Sequence, residues 1–298
     1  MLPIASSPFR SSGIVGAMLL AAAVALAGSA TPEEPVPLNV VATDESTVFS
    51  SGFNHRGIGR GDAWHSSLDV TRRIPLAGPE GHWFLQAGLS GERFDFGGSD
   101  RGPLPSTLQT FNVPFGLVNI TQAHIGFIAQ LRPGFYFEHE LSRGAFDVPL
   151  EIGGYWPLIN EKLYAAWGLR AALLQPHGVF PAAGLIWVIN PTLILHGVLP
   201  EPRIEYTVSE KLALWAGGEF TGGTFKMDSG TGDRFSGTVV QYCEIRAGAG
   251  ATLVPAKGWC VKLAAGYACE RKFDFYRADQ SYVADPAPYV RLQASAEF

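Results

Sequence analysis

The sequence predicts an all-β chain: a closed antiparallel up-and-down transmembrane β-barrel of about twelve strands, with roughly ten to fourteen as the bounds. Three observations carry that reading. Apolar and polar residues alternate with period two along most of the chain. Gly (35) and Pro (21) are abundant without a collagen-like period, which suits many strands joined by turns. Charge is sparse, 16 % of 298 residues against 47 % hydrophobic and 12 % aromatic. That balance excludes a disordered chain or a coiled coil.

Residues 1–30 have the layout of a secretory signal peptide. Arg10 and the amine form a weakly positive start, residues 13–26 an apolar run, and Ala25, Ala27 and Ala30 a small-residue cleavage zone. Cleavage after Ala30 is favoured over Ala27. The apolar run is shorter than the ~20 residues that a spanning helix needs. No Cys follows it, so a lipid anchor at this site is excluded. Loss of Arg10 takes the formal net charge from −5 to −6. Without a basic patch, nucleic acid is not an expected partner. Residues 31–47, rich in Pro and Glu, read as a flexible linker, and residues 48–298 as one barrel domain.

The strand patterns follow in order. Leu68, Val70 and Ile74 oppose Asp69, Thr71 and Arg73. Trp83, Leu85, Ala87 and Leu89 oppose Gln86, Ser90 and Glu92. Leu163, Ala165, Trp167 and Leu169 oppose Tyr164, Gly168 and Arg170. Ile204, Tyr206 and Val208 oppose Arg203, Glu205 and Thr207. Leu212, Leu214, Ala216 and Phe220 oppose Lys211, Trp215 and Glu219. From 259 to 275, Trp259, Leu263, Tyr267, Cys269, Phe273 and Phe275 share a face opposite Lys262, Glu270 and Lys272. At the end Val290, Leu292, Ala294, Ala296 and Phe298 oppose Arg291, Gln293, Ser295 and Glu297. Turn signals such as Pro79-Glu80-Gly81, Asn190-Pro191 and Ala256-Lys257-Gly258 separate the runs.

Two architectures fit such a meander. A soluble sandwich points the apolar face inward; a membrane barrel points it at lipid and fills the interior with polar groups. Export, runs of the 9–11 residues that cross a bilayer at a tilt, and small residues between the charges favour the membrane barrel. The Trp residues near run ends suit aromatic girdles at the interfaces.

The closing alternation onto Phe298 resembles the C-terminal signal of bacterial outer-membrane β-barrels, although Ala296 stands where many carry an aromatic. Residues 184–225, with the run Leu199-Pro200-Glu201-Pro202-Arg203-Ile204-Glu205-Tyr206, and the later Arg271-Lys272-Phe273 resemble an outer-membrane β-barrel family of unknown function. That resemblance implies location and fold, with porin-like character. It also implies outer-membrane lipid and the barrel-assembly machinery as partners, Phe298 being the residue that the machinery reads. A monomer is expected.

The polar face supplies candidate lumen-lining residues: Arg170, Lys211, Glu219, Glu244, Arg246, Lys262, Glu270, Lys272 and Arg291. In a narrow barrel they would pair across strands; in a wider one they would face water and set weak selectivity. Cys243 and Cys269 are placed opposite each other by a turn near Ala256, a candidate disulfide or two neighbouring thiols. Neither a zinc spacing nor a cofactor motif occurs, so no metal or cofactor is expected. His65, Ser67 and Asp69 share a face, but their collinear spacing is poor triad geometry, and no catalytic residue is assigned. The functional reading is a porin-like channel or structural barrel. Two alternatives stay open: a barrel enzyme acting on lipid or lipopolysaccharide, which needs Ser, His and an acid converging at one rim, and a secreted soluble sandwich that binds a ligand.

Overall fold

The computed structural model describes residues 38–53, 59–76, 82–98, 102–120, 126–159, 162–175, 178–229 and 234–298. The signal segment and the first part of the expected linker lie outside them. The first eight strands are β1 (Asn39–Gly52), β2 (Arg60–Pro75), β3 (His82–Phe96), β4 (Thr107–Asn112), β5 (Phe115–Ile120), β6 (Gly126–Leu131), β7 (Gly134–Phe137) and β8 (Phe146–Asp147). Next come β9 (Leu150–Ile159), β10 (Leu163–Ala171), β11 (Val179–Asn190), β12 (Leu193–Gly197) and β13 (Arg203–Ser209). The last are β14 (Leu212–Lys226), β15 (Val239–Leu253), β16 (Trp259–Phe275), β17 (Gln280–Ala284) and β18 (Ala287–Glu297). Residues 39–47, expected as linker, therefore belong to β1, which pairs along its length with β2 and β18.

That double pairing closes the sheet. Among the described residues all eighteen strands belong to one sheet, but they make only fourteen staves. β3 pairs with β5 through His82–Ala87 and with β4 through Ser90–Asp95, so β4 and β5 are two halves of one stave. β7 and β6, β8 and β9, and β17 and β18 are related in the same way. Each break contains a proline: Pro114, Pro133, Pro149 and Pro286. Proline has no N–H to give the ladder, so the pairing stops there. The proline carbonyls rejoin neighbouring staves: Gly88 N–H donates to Pro114 O, Val113 N–H to Pro133 O and Arg132 N–H to Pro149 O, each at 2.9 Å. The expected count of about twelve is thus corrected to fourteen. Residues 107–159 lack long clean alternation because prolines cut three consecutive staves into pieces.

The faces are those of a barrel turned inside out relative to a soluble protein. Leu68, Val70, Leu89, Leu185, Leu263 and Leu292 are exposed on the wall, while Asp44, Glu151, Glu219, Glu244 and Arg246 are buried inside. One closed sheet with buried charge overturns the soluble sandwich. Trp83, Trp156, Trp187 and Trp259 stand outside; Trp215 points in beside Arg203, whose guanidinium lies 6.0 Å from its ring. Among the described residues no helix is long and apolar enough to cross a membrane, which has no bearing on strands.

A β-bulge changes one face assignment. Ile245 pairs with Glu270 and Arg246 with Ala268, so Cys269 is the extra residue. Beyond it the parity of β16 reverses. Phe273 and Phe275, expected to face lipid, are fully buried. They join Phe94, Phe96, Phe225, Phe235, Tyr242 and Tyr282 in an aromatic cluster inside the upper barrel, with ring centroids 4.9 Å apart for Phe96–Tyr242 and 4.0 Å for Phe235–Phe275.

An even number of staves leaves both ends of the barrel chain on one side. Asn39 N–H donates to Phe298 O at 2.8 Å and Phe298 N–H to Asn39 O at 3.0 Å. Tight turns such as Ser209–Leu212 lie on that side, and longer connections, 138–145 among them, lie on the other.

The face assignment is tested by paired substitutions on facing strands. Leu263→Arg should lower stability in a urea refolding titration in lipid vesicles by roughly 2–4 kcal/mol. Ser295→Arg, on the inner face of β18, should cost less than about 1 kcal/mol. The reverse order would mean that the leucine face is a core.

Candidate functional site

Inward alternation on β1, β14, β15 and β18 delivers charges of both signs to one level of the lumen. Arg246 donates through Nε to Glu244, through Nη1 to Glu219 Oε1 at 3.4 Å and through Nη2 to Ser46 Oγ at 2.9 Å. The Tyr242 hydroxyl donates to Glu244 from above. Arg291 bridges the next group: Nε to Asp44 Oδ1 at 2.9 Å, Nη1 to Glu201 Oε1 at 2.9 Å, and Nη1 to Glu219 Oε2 at 3.1 Å. Arg203 closes the chain onto Glu201 at 2.9 Å and Glu205 at 3.0 Å. A carboxylate thus stands between successive guanidinium groups from Arg246 to Arg203. In a poorly hydrated interior an uncompensated charge is costly, so alternation of sign is the arrangement that can fill this space.

Glu201 reaches the network because β12 and β13 are short. Their connection, residues 198–202, contains the cis Leu199–Pro200 peptide and tucks against β14, with Phe220 N–H donating to Pro200 O at 2.9 Å and Gly218 N–H to Pro202 O at 2.8 Å. The run that stood out in the sequence at 199–206 is the piece that carries Glu201, Arg203 and Glu205 inward.

A second group crosses the other side. His65 Nε2 lies 3.0 Å from Glu92, and its ring stacks on Phe94 at 4.5 Å. Arg132 Nη2 donates to Ser90 Oγ at 2.9 Å and lies 3.5 Å from Asp69. Arg170 pairs with Glu151 at 3.1 Å, and Gln130 donates to Glu151 at 2.9 Å. Between the groups is a cavity of about 50 Å³ bounded by Asp69, Glu92, Arg132, Arg170 and Thr221. It has room for a few waters. Gly222 borders it at φ +128°, and a Cβ there would lie 2.3 Å from the Tyr242 carbonyl oxygen, so this close approach of β14 to β15 requires glycine.

Of the expected lumen residues, Arg170, Glu219, Glu244, Arg246, Lys262 and Arg291 face the interior, Lys262 beside Glu201. Lys211 does not: it is exposed in the turn between β13 and β14. Glu270 and Lys272 are turned to the outer face by the bulge, where Lys272 pairs with Asp274 at 2.9 Å. The same bulge turns Arg271 inward, donating to Ser51 Oγ at 2.6 Å and Gly61 O at 3.0 Å. Cys243 stands opposite Lys272 rather than Cys269, and all three cysteines are free thiols. Phe298 is 69 % exposed on the face of Val290 and Leu292.

Sequence reading missed Asp44, which falls in the stretch taken for a linker, and Arg132, which sits at a proline break. It also missed Ser106, His139 and Asp228 at the loop-side rim. His65, Ser67 and Asp69 share the inner face, but His65 and Asp69 bond to different partners, Glu92 and Arg132. At the rim Glu138, His139 and Asp228 each bring one ligand atom within 4.8 Å of the others. Both ring nitrogens of His139 are already bonded there, to Asp228 and to Ser106. A metal ion would have to displace the carboxylate.

No family model matches the chain, and no curated protein is significantly similar to it. Among solved structures it is similar to an outer-membrane channel from Pseudomonas putida F1, at 12 % identity and TM-score 0.46, over 91 % of this chain and 100 % of that one. It is also similar to the Pseudomonas putida toluene transporter TodX, at 10 % identity and TM-score 0.43, over 89 % of this chain and 91 % of the other. A Pseudomonas aeruginosa FadL homologue is similar at 10 % identity and TM-score 0.37, over 88 % and 90 %.

Arg246→Met, which leaves Glu244 and Glu219 without their shared partner, should destabilise the barrel by about 3–5 kcal/mol in the same refolding titration. Adding Glu244→Gln should recover part of that loss. An Arg246→Met barrel of unchanged stability would show that the network is not what fills the lumen.

Proposed function

We propose that the chain is exported and integral to a bacterial outer membrane, where it forms a porin-like channel with a narrow lumen that is closed at rest. The observation that carries this reading is the inversion of the barrel: large apolar side chains stand exposed around its wall, while arginines and carboxylates are buried within it. In water that arrangement would be opposed twice, by the exposed apolar area and by the desolvated charge. In a bilayer the wall matches the acyl chains, and the closed ladder leaves no backbone edge in lipid. Closure of β1 on β18 within one chain makes a monomer sufficient.

Residues 1–30 are read as a signal removed on export, and Phe298 as the residue that the barrel-assembly machinery recognises. The test is fractionation after a carbonate wash. Most of the protein should stay with outer membranes; recovery in the soluble periplasm would overturn the location. Deleting Phe298 should reduce the heat-modifiable, membrane-inserted form much more than Glu297→Gln does, because Phe298 lies on the apolar wall and Glu297 on the inner face.

The channel part of the reading rests on the lumen. Fourteen staves would leave an aqueous bore if the interior were empty, but paired charges occupy its middle and the aromatic cluster its upper part. Purified protein in a planar bilayer should therefore give small or intermittent conductance with little ion selectivity. Phe96→Ala combined with Phe273→Ala should increase the frequency or size of openings. Large steady openings in the unmodified protein would refute the closed lumen, and silence of both forms would refute the channel.

A further inference from the structure

The loop-side rim holds a side-chain set that the lumen does not use. Ser106, the residue before β4, places Oγ 2.8 Å from His139 Nε2. His139, two residues beyond the end of β7, places Nδ1 3.2 Å from Asp228 Oδ2. Asp228 lies two residues beyond the end of β14. We propose that Ser106, His139 and Asp228 form a nucleophile–base–acid triad that hydrolyses carboxylic esters at this rim.

The fold explains how residues 33 and 89 positions apart meet. Phe137, at the end of β7, pairs with Gln109 of β4 on one side and Lys226 of β14 on the other. Three strand ends are therefore adjacent, and the residues just past them converge.

The carboxylate is held as a triad acid needs to be. Asp228 Oδ1 accepts the backbone N–H groups of His139 at 3.2 Å and Glu140 at 3.0 Å, which leaves Oδ2 for the ring. The Asp228 N–H donates to Glu138 Oε2 at 3.1 Å. With Nδ1–H donated to Asp228, the neutral ring presents the Nε2 lone pair to the Ser106 hydroxyl, the tautomer a general base requires. Ser106 is half-buried and the His139 side chain 48 % exposed, so the pair can be reached from outside. Leu141, the one large apolar side chain in the connection from Glu138 to Ala145, is 67 % exposed and favours an ester with an apolar acyl group.

The reaction needs water as its only co-reactant. Ser106 Oγ bonds to the carbonyl carbon as its proton passes to His139 Nε2. The imidazolium then protonates the leaving alkoxide oxygen as the ester C–O bond breaks, which releases the alcohol and leaves an acyl-serine. Water gives a proton to Nε2 and attacks the acyl carbon. Ser106 leaves with that proton, and the carboxylic acid is released.

The test uses the full-length barrel in detergent, an active-site-directed fluorophosphonate probe read by mass spectrometry, and p-nitrophenyl butyrate turnover. Ser106 should be the labelled residue. Ser106→Ala should abolish labelling, and turnover should fall by at least about 10³-fold. Ser142→Ala, on the neighbouring connection, should change neither. Asp228→Asn can still accept the two backbone N–H groups, but its amide donates to Nδ1 and forces the proton onto Nε2. It should keep the heat-modifiable fold and slow labelling by roughly 10⁴-fold. Labelling that is equal in Asp228→Asn and the unmodified protein, or that persists in Ser106→Ala, would overturn the triad and leave a loop latch. Loss of labelling after chelation, restored by zinc, would overturn it in favour of a metal centre on Glu138, His139 and Asp228.

Discussion

The rest of the structure depends on the pairing of β1 with β18. A β-strand cannot satisfy its own backbone, and lipid offers no substitute partner, so a sheet that faces lipid must have no edge. Nine consecutive register pairs, from Val40↔Glu297 to Val48↔Tyr289, join the first strand to the last. Once the ring is closed, side-chain alternation can only point in or out. The inward half of every strand is then committed to one enclosed space, and what fills that space becomes the second problem that the sequence has to solve.

The solution differs by height. At mid-level the barrel uses charges of alternating sign, with carboxylates standing between the guanidinium groups of Arg246, Arg291 and Arg203. In the upper part it uses aromatic rings, packed edge to face as Phe96 on Tyr242 or stacked as Phe235 on Phe275. The Cys269 bulge makes the switch possible in β16: below it the inward residues are small or cationic, above it they are Arg271, Phe273 and Phe275. The tucked 198–202 connection does a related job from the short side of the wall by lowering Glu201 between Arg291 and Arg203.

Proline has a comparable role in the wall. Pro114, Pro133 and Pro149 stand on successive staves and step the ladder without opening it, because each carbonyl still accepts from its neighbour. Above that line β7 runs on past its short pairing with β8 and meets β14 instead. The resulting meeting of three strand ends brings Ser106, His139 and Asp228 within bonding distance. The rim geometry is thus a consequence of where the wall is interrupted.

The sequence by itself determined the class of architecture and most of the facing. Alternation is a local property: Leu163, Trp167 and Leu169 face out and Arg170 faces in because successive side chains leave a strand on opposite sides. The inward facing of Arg170, Glu219, Glu244, Arg246, Lys262 and Arg291 was legible for that reason. Lys211, Glu270 and Lys272 were not, since one sits in a turn and a single extra residue reverses the parity of the other two. The stave count was hidden in residues 107–159, where proline breaks erase the period. Cross-strand relations depended on register, which is set by bulges and loop lengths that alternation does not encode. Hence Cys243 opposite Lys272, Glu201 on Arg291, and the Ser106–His139–Asp228 alignment belong to the tertiary structure alone: each joins residues whose separation along the chain carries no signal of their proximity in space.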